Sequence, residues 1–151
     1  LSTHSLFNGN YITLIESHYA RHPQQKKEGI TIEILEREAI HNVKGLMEII
    51  ERLKAKGITF ALDDFGSGFS SFVYLKYFDT EYIKIDGEFV KNITVNDKDR
   101  IFVKHINEIA QEFGKKTIAE YVEDEETLEL LTEIGVDYVQ GYYYGQPRSL
   151  A

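Results

Sequence analysis

The feature that most constrains the fold is an alternation repeated along the whole chain: a short run of β-favouring residues, then a helical stretch, then another short run. The runs at Gly29 to Leu35, Ile58 to Leu62, Tyr82 to Ile85, Lys116 to Ala119 and Asp137 to Val139 are rich in Ile, Val, Thr, Tyr or Phe, and read as strands. Between them, Ala39, Ile40, Val43, Leu46, Met47, Ile50 and Leu53 recur at three- and four-residue steps and stop at Gly57, which predicts a helix with a glycine at its C-terminal end. Asp97 is the expected cap of a second helix, with Ile101, Phe102, Ile106, Ile109, Ala110 and Phe113 on its inner face and Gly114 after it. Asp124 opens a third, with Glu125 and Glu126 in the first turn, where the helix dipole favours them. Leu128, Leu131 and Ile134 face inward along it, and Gly135 follows. Strands that are nearly continuous in apolar residues and joined by helices imply a parallel α/β sheet, either doubly wound or part of a barrel.

Each predicted strand ends in a residue able to hold a cation, a phosphate or a proton. Glu33 and Glu36 stand at the end of the first, Asp63 and Asp64 at the second, Lys84 and Asp86 at the third, Glu120 at the fourth and Gln140 at the fifth. In a parallel α/β fold the carboxyl ends of all strands open on one side, where such folds bind their ligands. One acidic residue after a strand is commonly a helix cap. Five strand ends in succession point to a shared site.

Asp63 and Asp64 are the sharpest element, placed where apolar Phe60-Ala61-Leu62 turns into the loop Phe65-Gly66-Ser67-Gly68. Two adjacent carboxylates repel unless cations neutralise them. One could bridge two metals while its neighbour binds the second, an arrangement suited to phosphoester hydrolysis because it steadies both the attacking and the leaving oxygen. Lys84, flanked by Ile83 and Ile85, is either a salt-bridge partner of Asp86 or Asp63, or a positioned ammonium for a water or a phosphate oxygen. The absence of cysteine excludes thiolate zinc sites, cysteine nucleophiles and disulfides, which leaves hard ions held by oxygen. His18 and His22 have the spacing of a helical zinc pair, but no third ligand suggests itself and they read as surface residues. Tyr142, Tyr143 and Tyr144 invite base stacking, yet aromatic clusters of this kind are more often core.

Composition narrows the partners. A net charge of -8 over 151 residues removes the diffuse positive field on which binding to DNA, RNA or anionic lipid depends, so a phosphate-bearing ligand needs a cation's help. No apolar run approaches the ~20 residues of a membrane span. With Pro only at Pro23 and Pro147 and no low-complexity tract, residues 1–151 read as one unit without an internal boundary.

Ala61-Leu62-Asp63-Asp64-Phe65-Gly66-Ser67-Gly68-Phe69-Ser70-Ser71, Ile83-Lys84-Ile85-Asp86, Ala119-Glu120-Tyr121-Val122-Glu123 and Tyr138-Val139-Gln140-Gly141-Tyr142 stand in this order. From about Ile30 to Pro147 the chain resembles the C-terminal portion of an EAL domain, the family of cyclic di-GMP phosphodiesterases. The resemblance implies an incomplete TIM-type (β/α) barrel that uses Mg²⁺ or Mn²⁺ to hydrolyse cyclic di-GMP to linear pGpG in bacterial second-messenger signalling. By position, Glu33 and Asp63 match ligands of one metal, with Asp63 bridging, and Asp64 and Glu120 match ligands of the second. Lys84 matches the lysine that positions the attacking water, and Glu36 the glutamate that anchors the loop after Asp64. Glu123 and Gln140 match further active-site positions, and Asp86 a substrate contact.

There are departures. The Glu-Ala-Leu segment that names the family has no counterpart, and neither has the Asn that normally precedes the Leu-Ser seen here as Leu1-Ser2. Tyr121 replaces a glycine usual between the two glutamates, and Ser67 and Phe69 are mild variants. A barrel of this type needs roughly 200 to 250 residues, so the chain is expected to be the distal part of the domain and weakly active or inactive by itself. The alternatives are a non-catalytic cyclic di-GMP sensor or interaction module, and a barrel enzyme that stabilises an enolate. The resemblance further implies a cytoplasmic domain, in a parent that membrane tethering would not exclude, with a homodimer and an upstream sensor or cyclase-like domain as expected partners.

Overall fold

The structure, a computed structural model, describes residues 9–21, 29–67, 72 and 75–148. The elements in chain order are α1 (Gly9–Arg21), β1 (Thr31–Leu35), α2 (Glu36–Ala39), a 3-10 turn (Ile40–Asn42), α3 (Val43–Lys54), β2 (Thr59–Phe65), β3 (Tyr82–Ile85), α4 (Gly87–Val90), α5 (Asp97–Glu112), β4 (Lys116–Ala119), α6 (Glu125–Ile134) and β5 (Tyr138–Val139). They fall into two units, Leu1–Tyr82 and Ile83–Ala151.

In the first unit β1 and β2 pair in parallel, with Glu33 opposite Ala61 and Leu35 opposite Asp63. Because side chains alternate across a strand, Ile32 and Ile34 go to the buried face of β1 while Thr31 and Glu33 lie on the other, exposed one. The crossover between the two strands is α3, begun by Asn42, whose side chain accepts from Gly45 N at 3.0 Å. Its apolar stripe buries Leu46, Ile50 and Leu53. The helix stops where Gly57 adopts φ 88°, a left-handed conformation that costs glycine nothing. Phe60 and Phe65 are fully buried, and each side chain of this kind stabilises the unit by roughly 1.5 to 3 kcal/mol.

In the second unit β3, β4 and β5 follow one another in the sheet, and β4 and β5 pair in parallel. Both Tyr82–Ile85 and Lys116–Ala119 agree with the runs read from the sequence. Two expectations for α5 need correction. Its cap is Asn96, whose side chain accepts from Lys98 N at 3.0 Å, and Asp97 is the first helical residue. The inward face consists of Val103, Ile106, Asn107 and Ala110, while Ile101 and Phe113 are about half exposed. The core takes up Asn107 because its polar groups are satisfied there: Oδ1 accepts from the Thr117 hydroxyl at 2.5 Å and Nδ2 donates to Ile134 O at 3.2 Å. Asp124 caps α6 by accepting from Thr127 N at 2.8 Å, and Gly135 ends it at φ 86°. No helix among the described residues is long and apolar enough to cross a membrane.

Candidate functional site

In the first unit the ladder of β2 runs past Leu62 through Asp63 and Asp64 to Phe65, so both carboxylates are carried on paired, half-buried backbone. Their oxygens approach within 4.8 Å of one another. Asp64 has φ 56°, a left-handed conformation that Asp tolerates better than most side chains. The loop beyond it is tethered from α2. Glu36, 4% exposed, accepts from Gly66 N at 3.0 Å through Oε2, and the Ser67 hydroxyl donates to Asp64 O at 2.9 Å. Gly68 to Ser71, the rest of that motif, lie outside the described residues. Glu33 shares a strand face with Asp63 by register and borders a recess of about 380 Å³ with Ile15, Ile30, Thr31 and Ile32.

In the second unit Lys84 is buried on β3, and its Nζ lies 2.8 Å from Glu120 Oε1. The ion pair is thus with Glu120, which is not among the partners considered from the sequence, Asp86 and Asp63. Asp86 caps α4, accepting from Glu88 N at 2.9 Å. Glu120, Glu123 and Gln140 converge on one pocket of about 190 Å³, completed by Tyr121, Gly141 and Tyr142.

The pocket floor is laced by backbone. Gln140 N donates to Ala119 O at 2.8 Å, Val122 N to Gln140 O at 3.1 Å and Tyr143 N to Val122 O at 3.0 Å. Gly141 crosses so near Val122 that a methyl group on it would overlap that residue's backbone.

Tyr121 was singled out in the sequence only as a substitution, and its consequence is conformational. It has φ 61°, and with Asp64 it is one of two non-glycine residues at positive φ among those described. A left-handed residue with a Cβ costs roughly 1 to 2 kcal/mol, which gives a physical reason for glycine at this place. The ring lies against Gly87, where an added Cβ would come within 2.5 to 2.9 Å of its atoms. Tyr142, Tyr143 and Tyr144 are 57%, 42% and 65% exposed, so the core placement expected of them does not hold. They follow β5 in a turn beyond the sheet, where no layer covers them. His18 is exposed as expected, and His22 lies outside the described residues.

Within each unit a parallel strand pair carries acidic or amide side chains at its strand ends, the pattern of barrel proteins that build their sites on that face. Residues 1–147 match the model of the EAL domain, and the chain belongs to the EAL domain family. It is 47% identical over 122 residues to the cyclic di-GMP phosphodiesterase PdeB of Shewanella oneidensis, covering 81% of this chain and 14% of that protein. It is 39% identical over 124 residues to the probable cyclic di-GMP phosphodiesterase PdeA of Escherichia coli, covering 82% of this chain and 17% of that one. The solved PaMucR phosphodiesterase in complex with c-di-GMP superposes with a TM-score of 0.88 at 29% identity, covering 97% of this chain and 59% of the other. The fold is thus that of the TIM-type barrels of EAL proteins, and this chain spans a small share of its curated relatives.

Proposed function

We propose that this chain forms part of a metal-dependent phosphodiesterase that hydrolyses cyclic di-GMP to linear pGpG. The observation that carries the proposal is the pairing of Lys84 with Glu120 at 2.8 Å, a buried cation fixed beside one of the carboxylates that the family resemblance makes a metal ligand. The donor set fits Mg²⁺ or Mn²⁺: Glu33, Asp63, Asp64 and Glu120 offer only hard oxygen, and the chain has no cysteine to select a softer ion. In this reading Glu33 and Asp63 hold one ion, and Asp64 and Glu120 the other. Such ions supply Lewis acidity and lower the pKa of bound water.

The chain's own groups do the rest. The Lys84 ammonium would donate to and orient the water whose oxygen bonds to phosphorus as the P–O3′ bond breaks, and the proton that this water gives up ends on the departing 3′ oxygen. Glu36 holds the loop after Asp64 through Gly66 N. Asp86, Glu123 and Gln140 contact the nucleotide, Asp86 from the start of α4.

The test is cyclic di-GMP hydrolysis by the intact protein with Mg²⁺ or Mn²⁺. Replacing Asp63 with Asn is expected to lower kcat/KM at least about 10³-fold, a loss of about 4 kcal/mol in transition-state stabilisation. No turnover by the unsubstituted protein at any metal concentration would overturn the reading. Tyr121 favours a second one, a non-catalytic cyclic di-GMP sensor, because a strained and bulky side chain stands in the pocket. Binding without metal that Asp63→Asn leaves unchanged would select the sensor.

A further inference from the structure

We infer that Tyr121, with Tyr142, makes the pocket beyond β4 and β5 a stacking subsite for one planar nucleobase, a role peculiar to a chain that carries an aromatic ring at this position. The inference rests on the proposed nucleotide chemistry of the same site. Three observations converge. Tyr121 is held in a left-handed conformation, and residues kept in such conformations gather at ligand sites, where the surrounding structure holds them. One side of its ring is backed by Gly87, which has no room for a Cβ, yet the residue as a whole is 61% exposed. Tyr121 is thus largely open to solvent, in a pocket that Tyr142 also lines at 57% exposed.

Size and chemistry fit one base. The cavity of about 190 Å³ falls below the 300 to 1,000 Å³ typical of sites that enclose a whole ligand. Two phenol rings offer π-faces that any base can stack on. Glu123 and Gln140 border the same space, a carboxylate that accepts and an amide that both donates and accepts at the edge of a bound ring. A phosphate is the wrong occupant beside Glu123, whose carboxylate would repel it.

The decisive variant is Tyr121→Gly, because glycine adopts the observed backbone angle without strain and so preserves the loop. Calorimetric titration of the full chain, of Tyr121→Gly and of Tyr121→Phe would use 5′-GMP as the probe and ribose 5-phosphate, which lacks the base, as its control. The expected result is GMP binding that weakens about tenfold or more in Tyr121→Gly and is retained in Tyr121→Phe, with ribose 5-phosphate indifferent to either substitution. GMP bound equally by Tyr121→Gly and the unsubstituted chain would overturn the subsite, as would an equal loss for ribose 5-phosphate. Cyclic di-GMP turnover measured on the same preparations separates the two readings: ring-dependent GMP binding without any turnover overturns the phosphodiesterase and leaves the stacking subsite standing.

Discussion

The two units solve one local problem by different means. Each carries an acidic residue at the C-terminal end of a strand and, beside or at it, a residue in the left-handed region, Asp64 at φ 56° near the end of β2 and Tyr121 at φ 61° just after β4. In the first unit the left-handed residue is itself an acid, and the loop after it is tied down by single side-chain contacts, Glu36 to Gly66 and Ser67 to Asp64. In the second the acid is Glu120, one residue earlier, and the turn is fixed by backbone packed on backbone where Gly141 crosses Val122. A turn held by a side chain fails when an atom is removed, whereas one held by close approach fails when an atom is added.

That difference is open to measurement, and the largest effect belongs to the second unit. Gly141→Ala places a methyl group against the N, C and O of Val122, atoms that cannot rotate away as a side chain would. The expected loss is about 3 kcal/mol, the upper end of ordinary overpacking, read as a fall in thermal midpoint together with loss of the pocket's ligand binding. The corresponding change in the first unit is Glu36→Ala. It withdraws a buried acceptor from Gly66 N, and an amide left without its partner costs about 1 to 3 kcal/mol. Here the loss should be smaller and local. Hydrogen exchange at Gly66 and Ser67 should accelerate while amides of β4 and β5 keep their protection. Equal effects of the two substitutions, or global unfolding by Glu36→Ala, would erase the contrast.

Much of the fold is legible because short runs rich in β-branched and aromatic residues favour strands wherever they fall, and Tyr82–Ile85 and Lys116–Ala119 have the bounds read from the sequence. Where a local rule met a tertiary one, the tertiary rule prevailed. The apolar run stops at Leu62 and the loop is expected from Phe65, but β2 continues through the two acids to include Phe65. An apolar period does not pick out Asn107, which the core accepts because Thr117 and the carbonyl of Ile134 satisfy it. Ile101 was assigned inward by periodicity, which cannot tell the edge of an apolar stripe from its centre, and it is 57% exposed. The site was legible as a list of strand-end acids. Which residue pairs with Lys84 was not, because Glu120 and Asp86 are equally near a strand end in sequence, and only the lateral order of strands sets Glu120 beside it. The short helices Glu36–Ala39 and Gly87–Val90 lie below the length at which a helical period can be recognised.

The smallest expected effect lies at the ion pair between α1 and α3, and it separates contacts that hold the fold from contacts that decorate it. Arg52 donates to Glu16 through both Nε, at 2.7 Å, and a terminal guanidinium nitrogen, at 2.6 Å. These hydrogen bonds hold the Glu16 carboxyl below its ordinary value of 4.5, with the nearby Arg52 and Lys56 charges adding to them against the opposing effect of burial. A depressed carboxyl contributes stability above its unfolded value, and that contribution is lost as pH falls through the lowered folded value. Glu16→Gln should therefore remove a little stability at neutral pH and nothing at a pH low enough to protonate the carboxyl in both states. The pair lies at the surface, where water and salt screen it and two long side chains must be ordered to form it. Its bidentate geometry is good, yet the expected fall in thermal midpoint at neutral pH is no more than about 2 °C, vanishing at high salt. A fall as large as that of Gly141→Ala would mean that α1 is anchored through this pair rather than through the burial of Ile12, and would move the contrast from strand ends to the helix that precedes them.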